Sequence, residues 1–188
     1  MPGIKGAIGS TLCLASQILP HQPEAIIPYL TATEFLTLSK FPVIEIAGWD
    51  LSTATIAETV VAHGVVPPRV ADPFVEKLDG IAAVAAPNAA DRLETQIDAI
   101  RDDIKQFRAQ RPTARPVMVN LLPACPQCPA GIGTHLEDIN CRLFPDLAYA
   151  LAAVRDGIPL VNFTPNDLTQ PAVVETAIAN GVPLAGRD

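Results

Sequence analysis

Asn162, Thr164, Asn166 and Asp188 are polar residues placed where two apolar runs of strand length give out, in the stretch Gly157 to Asp188. Ile158 to Val161 has the length and composition of a buried strand, and Asn162-Phe163-Thr164-Pro165-Asn166 interrupts it with turn formers. The spacing predicts a helix next, with Thr169 as its cap, Pro171 in the first turn and Val173, Val174, Ala177 and Ile178 on one apolar face. Asn180-Gly181 should close that helix with a left-handed residue, and Val182 to Ala185 begins another strand. A strand–helix–strand unit implies parallel pairing, and ligands of parallel sheets sit beyond the carboxyl ends of the strands. The four polar residues fall there. The bland alternative is a loop made polar by exposure.

A second group lies near the N-terminus. Gly6 and Gly9 open an apolar, helix-like run that reaches Leu19, with Ser10 and Thr11 following them. Gly-x-x-Gly at a helix start lets backbone amides approach a phosphate at the positive end of the helix dipole. A dinucleotide fold also needs a buried strand feeding this turn, and only Pro2 to Lys5 precede it; if that strand is absent, the turn should be poorly anchored and mobile. Asp50, after the apolar run Phe41 to Ala47, could hold ribose hydroxyls, as an acidic residue does after the second strand of such folds. Its distance from Gly9 exceeds the usual spacing of about 20 residues, and it could equally cap a helix over Ser52 to His63. Cys125-Pro-Gln-Cys128 has thiol spacing suited to zinc, but His135 and Cys141 do not supply a second ligand pair, so an ordinary loop without metal is the expectation. His21, His63 and His135 are scattered, and no Ser–His–Asp order, paired-carboxylate pattern or Walker lysine is present.

These residues need a scaffold, and the composition suits one. With 49% hydrophobic but only 5% aromatic residues in 188, the core should be built from Ala, Val, Leu and Ile. Strands are expected over Val43–Ala47, Ile81–Ala86, Val117–Leu122 and Leu160–Phe163. Between them, helices are expected over Pro28–Lys40, Ala90–Gln110 and Phe144–Asp156, with Val65-Val66-Pro67-Pro68 as a stiff linker. The reading is a single α/β domain over residues 1–188: a Rossmann-like, doubly wound parallel sheet. A net charge of −7 argues against nucleic acid or an anionic membrane as partner. Without a signal peptide or an apolar run of bilayer length, the expectation is a soluble cytoplasmic protein with reduced cysteines.

Several stretches together resemble one family. Gly6-Ala7-Ile8-Gly9-Ser10-Thr11-Leu12, Gly48-Trp49-Asp50-Leu51, Val117-Met118-Val119-Asn120-Leu121, Tyr149-Ala150-Leu151 and Val161-Asn162-Phe163-Thr164-Pro165 occur in the order found in myo-inositol-1-phosphate synthases. So does Gly181-Val182-Pro183-Leu184-Ala185-Gly186-Arg187-Asp188. The resemblance implies an NAD-binding domain of a family that isomerises glucose 6-phosphate to inositol phosphate by oxidation, aldol ring closure and reduction. It implies Gly6, Gly9, Ser10 and Thr11 as the pyrophosphate turn and Asp50 as the adenosine-ribose carboxylate. Asn120 and Leu121 fall on the nicotinamide side, and Asn162, Thr164 and the catalytic candidate Asp188 fall where cofactor and substrate meet. Leu122-Pro123-Ala124-Cys125 departs from the small polar and acidic residues usual in the family. The family continues past the residue matching Asp188 with a Gly-Lys segment and a catalytic and oligomerisation domain, whose lysines none of Lys5, Lys40, Lys77 or Lys105 matches. The chain therefore reads as shortened at both ends and inactive alone, with a homo-oligomer or a missing C-terminal portion as partner. The alternative is a non-catalytic Rossmann remnant serving as a binding or assembly module.

Overall fold

Short parallel strands alternate with helices in a computed structural model that describes residues 1–21, 44–126, 132 and 144–186. The chain divides into two compact units, Ile4–Ala85 and Met1–Gly3 with Ala86–Asp188. The expected helix Pro28–Lys40 lies outside the described residues.

In the unit Ile4–Ala85, helix α1 runs Ala7–Ile18 and buries Gly9, Ser10, Cys13 and Leu14. Strand β1 is Ala47–Asp50, later than the expected Val43–Ala47. The shift has a physical reason: residues 44–46 carry exposed Ile44 and Glu45, whereas Gly48 and Trp49 are buried. Helix α2, Ile56–His63, starts from a capping box in which Thr55 accepts from the Glu58 N–H and Glu58 reaches back to the Thr55 N–H. Thr55, not Asp50, is thus the cap. Gly64 ends α2 with φ 58°. The Pro67-Pro68 pair does not remain an extended linker, because Pro68 opens the short helix α3, Pro68–Ala71, where its missing N–H leaves no helix bond unmade. A 3-10 segment, Asp72–Gly80, then leads to β2, Ala82–Ala85, which pairs parallel with β1. Ile4, Leu14, Trp49, Ile56, Val60, Phe74 and Leu78 are buried here.

In the other unit, α4 spans Leu93–Ala109 and buries Leu93, Ile97, Ile100 and Ile104, the stripe its periodicity predicts. Strands β3, Met118–Asn120, β4, Leu160–Asn162, and β5, Leu184–Ala185, pair in the order β3-β4-β5, all parallel. Every residue of α5 (Asp146–Arg155) from Asp146 to Val154 is buried, and the helix packs against α4, α6, β3 and β4. Four alanines on α5 permit that close approach on several sides, so the aliphatic core expected from composition is found. Helix α6, Pro171–Ala179, has Pro171 at its first position and is followed by Gly181 at φ 63°. Gln170 is its cap residue rather than Thr169, whose N–H and hydroxyl both turn to the Asp167 carboxylate.

Candidate functional site

Two constellations of the singled-out residues form, one in each unit. The first is the glycine turn. Gly6 is the N-cap of α1, has no side-chain cap, and no acidic residue occupies the first turn. Gly6, Ala7 and Ile8 are exposed while Gly9 and Ser10 are buried. The Ser10 N–H donates to the Gly6 carbonyl at 2.9 Å, so helix geometry leaves the N–H groups of Ala7, Ile8 and Gly9 without an intrahelical acceptor. Both hydroxyls bond back onto the helix, Ser10 to the Gly6 and Ala7 carbonyls and Thr11 to the Ala7 carbonyl. What the turn offers outward is therefore the amide donors of exposed Ala7 and Ile8 at a dipole-positive end, with the unbonded amide of buried Gly9 behind them.

Hydrogen bonds anchor the turn, whereas poor anchoring is the expectation if no strand precedes it. Ile4, in a turn, donates to the Trp49 carbonyl of β1 at 3.4 Å. Lys5 is held at three points. Its N–H donates to Asp50 Oδ2 at 2.8 Å, its ammonium to the Ser52 carbonyl at 2.7 Å, and its carbonyl lies 3.1 Å from His63 Nε2. A carbonyl only accepts, so His63 carries its proton on Nε2 in that contact. Asp50 Oδ1 accepts from the Ser52 N–H at 2.9 Å, and each oxygen keeps a further accepting position. The turn thus pairs unsatisfied amides with a strand-end carboxylate that can still accept, a donor set that fits pyrophosphate and ribose.

The second constellation is buried. Asn120 ends β3, Asn162 ends β4, and both lie with Thr164, Asn166 and Asp146 at 8% exposure or less. Asn120 Nδ2 donates to Asp146 Oδ1 at 2.6 Å and to Asn162 Oδ1 at 3.1 Å. Asn162 Nδ2 donates to the Thr164 and Asn166 carbonyls, and its oxygen also accepts from the Thr164 hydroxyl. Asn166 Nδ2 donates to Asp146 Oδ1 and to the Pro123 carbonyl, and its oxygen accepts from the Cys125 N–H at 2.6 Å. The carboxamides therefore fasten the residues after β3 to those after β4. Gly186 closes against them at φ 89°, where a Cβ would stand 2.0 Å from the Asn162 carbonyl oxygen. Leu121 donates its N–H to the Pro2 carbonyl, and Gly3 at φ 77° passes so close to the Leu121 carbonyl that a Cβ would lie 2.7 Å away.

Asp146 was absent from the residues singled out above, because an acidic residue in a helix first turn usually reads as a partner of the dipole. Lys5 and His63 carried no motif either, since their roles come from backbone atoms and from approach in space. Asp188, Cys128, His135 and Cys141 lie outside the described residues. Cys125 is half-buried, and among the described residues no three His, Cys, Asp or Glu side chains gather as a metal site requires. Also among the described residues, no helix is long and apolar enough to cross a membrane.

A family model described as myo-inositol-1-phosphate synthase matches residues 8–188. The chain belongs to this family. The matched segment is the NAD-binding portion of the synthase, so NAD is the cofactor of this domain. Inositol-3-phosphate synthase of Brassica napus is 22% identical over 166 residues, covering 75% of this chain and 32% of the relative. Inositol-3-phosphate synthase 1-A of Xenopus laevis is 20% identical, with 29% of its length covered. The chain thus spans about a third of the length of the relatives it matches. In structure, inositol-3-phosphate synthase from Caenorhabditis elegans superposes with a TM-score of 0.58 at 17% identity, over 76% of this chain and 33% of that one. The likeness establishes a shared fold over that part.

Proposed function

We propose that residues 1–188 form one Rossmann-like, doubly wound NAD-binding domain of a protein that isomerises glucose 6-phosphate to inositol phosphate. The carrying observation is the uncapped start of α1, held beside Asp50 through the Lys5 N–H. In this reading the amides of Ala7, Ile8 and Gly9 face the pyrophosphate, and Gly6 and Gly9 permit its approach. Ser10 and Thr11 tighten the turn through their bonds to its carbonyls. Asp50 has a double role: it accepts from the adenosine ribose and, through Lys5, fixes the direction of the turn. Asn120, Leu121, Asn162 and Thr164 form the floor for the nicotinamide side, and Asp188 belongs to the catalytic set. When bound, NAD supplies hydride transfer from and back to a sugar carbon. The chain's residues orient it and exclude water.

The domain alone is assigned binding without turnover. Ring closure develops charge on an enolate oxygen beside a phosphate, and losing one preorganised cation or donor at such a site costs on the order of 10²–10³ in rate. The described lysines are otherwise engaged: Lys5 with Ser52, Lys77 with His21, and Lys105 with Asp102. Lys40 lies outside the described residues. Calorimetric titration of the 188-residue chain with NAD, beside an inositol-release assay with glucose 6-phosphate, tests both halves. NAD binding that Asp50→Ala weakens, with no inositol phosphate formed, is the expected result. Turnover near that of a full-length synthase would overturn the assignment to binding alone. Absence of NAD binding would favour a non-catalytic binding or assembly module.

A further inference from the structure

One valence of the buried carboxamide cluster is unfilled. Asp146 Oδ1 accepts from both Asn120 and Asn166, whereas Oδ2 is buried and has no hydrogen-bond partner among the described residues. Asp146 is only 1% exposed, so bulk water does not solvate that oxygen. A buried acceptor without a donor is costly, and such groups persist where a ligand or an ordered water completes them. Its place is also informative, since Asn120, which donates to Asp146, and Asn162, which accepts from Asn120, are the last residues of parallel strands β3 and β4. Ligands bind beyond those ends.

The chemistry of the missing partner follows from what the neighbours have already used. Both amide hydrogens of Asn120, Asn162 and Asn166 are engaged, as is the Thr164 hydroxyl. The side chains of the cluster thus offer a ligand an acceptor and no donor. Phosphate oxygens cannot fill it. An O–H or N–H₂ donor can, and on the nicotinamide side of NAD the ring carboxamide supplies an N–H₂. Resting on the NAD reading above, we infer that Asp146 Oδ2 receives the N–H₂ of the nicotinamide carboxamide, directly or through one ordered water. Asp146 then selects the pyridine-ring substituent and, by gripping Asn120 and Asn166, positions the residues after β3.

The test compares NAD, 3-acetylpyridine adenine dinucleotide (whose ring substituent has no N–H₂) and ADP-ribose on the 188-residue chain, with and without Asp146→Asn. This replacement keeps an oxygen for Asn120 and Asn166 and removes the charge. A hydrogen bond to a charged acceptor predicts about tenfold weaker binding of the acetylpyridine analogue than of NAD by the parent chain. That preference should vanish in Asp146→Asn, ADP-ribose affinity should stay the same, and the variant should melt no lower than the parent. Equal binding of NAD and the analogue by the parent overturns the inference, and needs no variant that folds. Equal losses for NAD and ADP-ribose in Asp146→Asn overturn it too, by showing a general structural role. A parent chain that binds neither NAD nor ADP-ribose would instead overturn the NAD reading on which the inference stands.

Discussion

The glycine turn and the carboxamide cluster are opposite ways of using polar groups. At the start of α1 the backbone amides of Ala7 and Ile8 are left open at an exposed surface, with that of buried Gly9 behind them, and the structure invests its hydrogen bonds in holding the turn from behind through Lys5. At the ends of β3 and β4 the polar side chains are buried and bonded to one another, and among the described residues Asp146 Oδ2 is the buried side-chain atom left without a partner. The turn should therefore govern ligand affinity with little effect on stability. The cluster should govern stability first, because a buried donor or acceptor stripped of its partner carries its full desolvation cost.

The largest effect expected is that of Asn162→Ala. It leaves the Thr164 and Asn166 carbonyls without their donor and removes the acceptor of Asn120 and Thr164. A loss of about 3 kcal/mol, roughly 10 °C in melting midpoint by circular dichroism, follows from orphaning several buried groups at once. A change within a degree would erase the distinction between the two regions. Next, Asp50→Ala should weaken NAD binding about tenfold or more while costing no more than about 1 kcal/mol of stability, since its partners are amides able to turn to water. A stability loss as large as that of Asn162→Ala would show that the turn, too, is chiefly structural.

Much of this architecture is legible in the residues. The run Leu160 to Asn162 followed by Thr164 and Pro165, and the glycine pair opening α1, fall where their spacing puts them. Two misplacements have local causes. Thr55-Ile-Ala-Glu58 is a capping-box pattern before an apolar run, and it outcompetes the more distant Asp50 for α2. β1 slides to Gly48-Trp49-Asp50 because burial of Trp49 outweighs the apolar look of the preceding residues. The network around Asp146 could not be read in advance. It joins residues up to 46 positions apart, from Asn120 to Asn166, and long-range pairing leaves no periodic trace.

Smaller effects sharpen the comparison. The Arg155 guanidinium hydrogen-bonds Glu94 at 2.6 and 2.9 Å and holds its carboxyl below its ordinary value of 4.5. A depressed carboxyl value stabilises the fold above 4.5, and the contribution is lost as pH falls below it. Glu94 is mostly exposed, so screening limits the bridge to about 0.5 kcal/mol, and Glu94→Gln should lower stability by that amount at pH 7 and by less at pH 3. An equal loss at both pH values would contradict this. Smallest of all, Cys13 should show no reaction: it is wholly buried in α1, and burial pushes its thiol up to about 12. Mass spectrometry after iodoacetamide treatment at pH 8 should find it alkylated only in urea. Rapid native labelling would mean that α1 is loosely seated and the turn poorly fixed.

The central claim, that an open helix start receives the dinucleotide, is tested most directly by following backbone amide resonances of the ¹⁵N-labelled chain during titration with NAD. The amides of Ala7, Ile8 and Gly9 should move furthest and exchange with solvent more slowly in the complex, and ADP-ribose should reproduce these changes. Saturable binding that leaves those three amides unmoved would contradict the account.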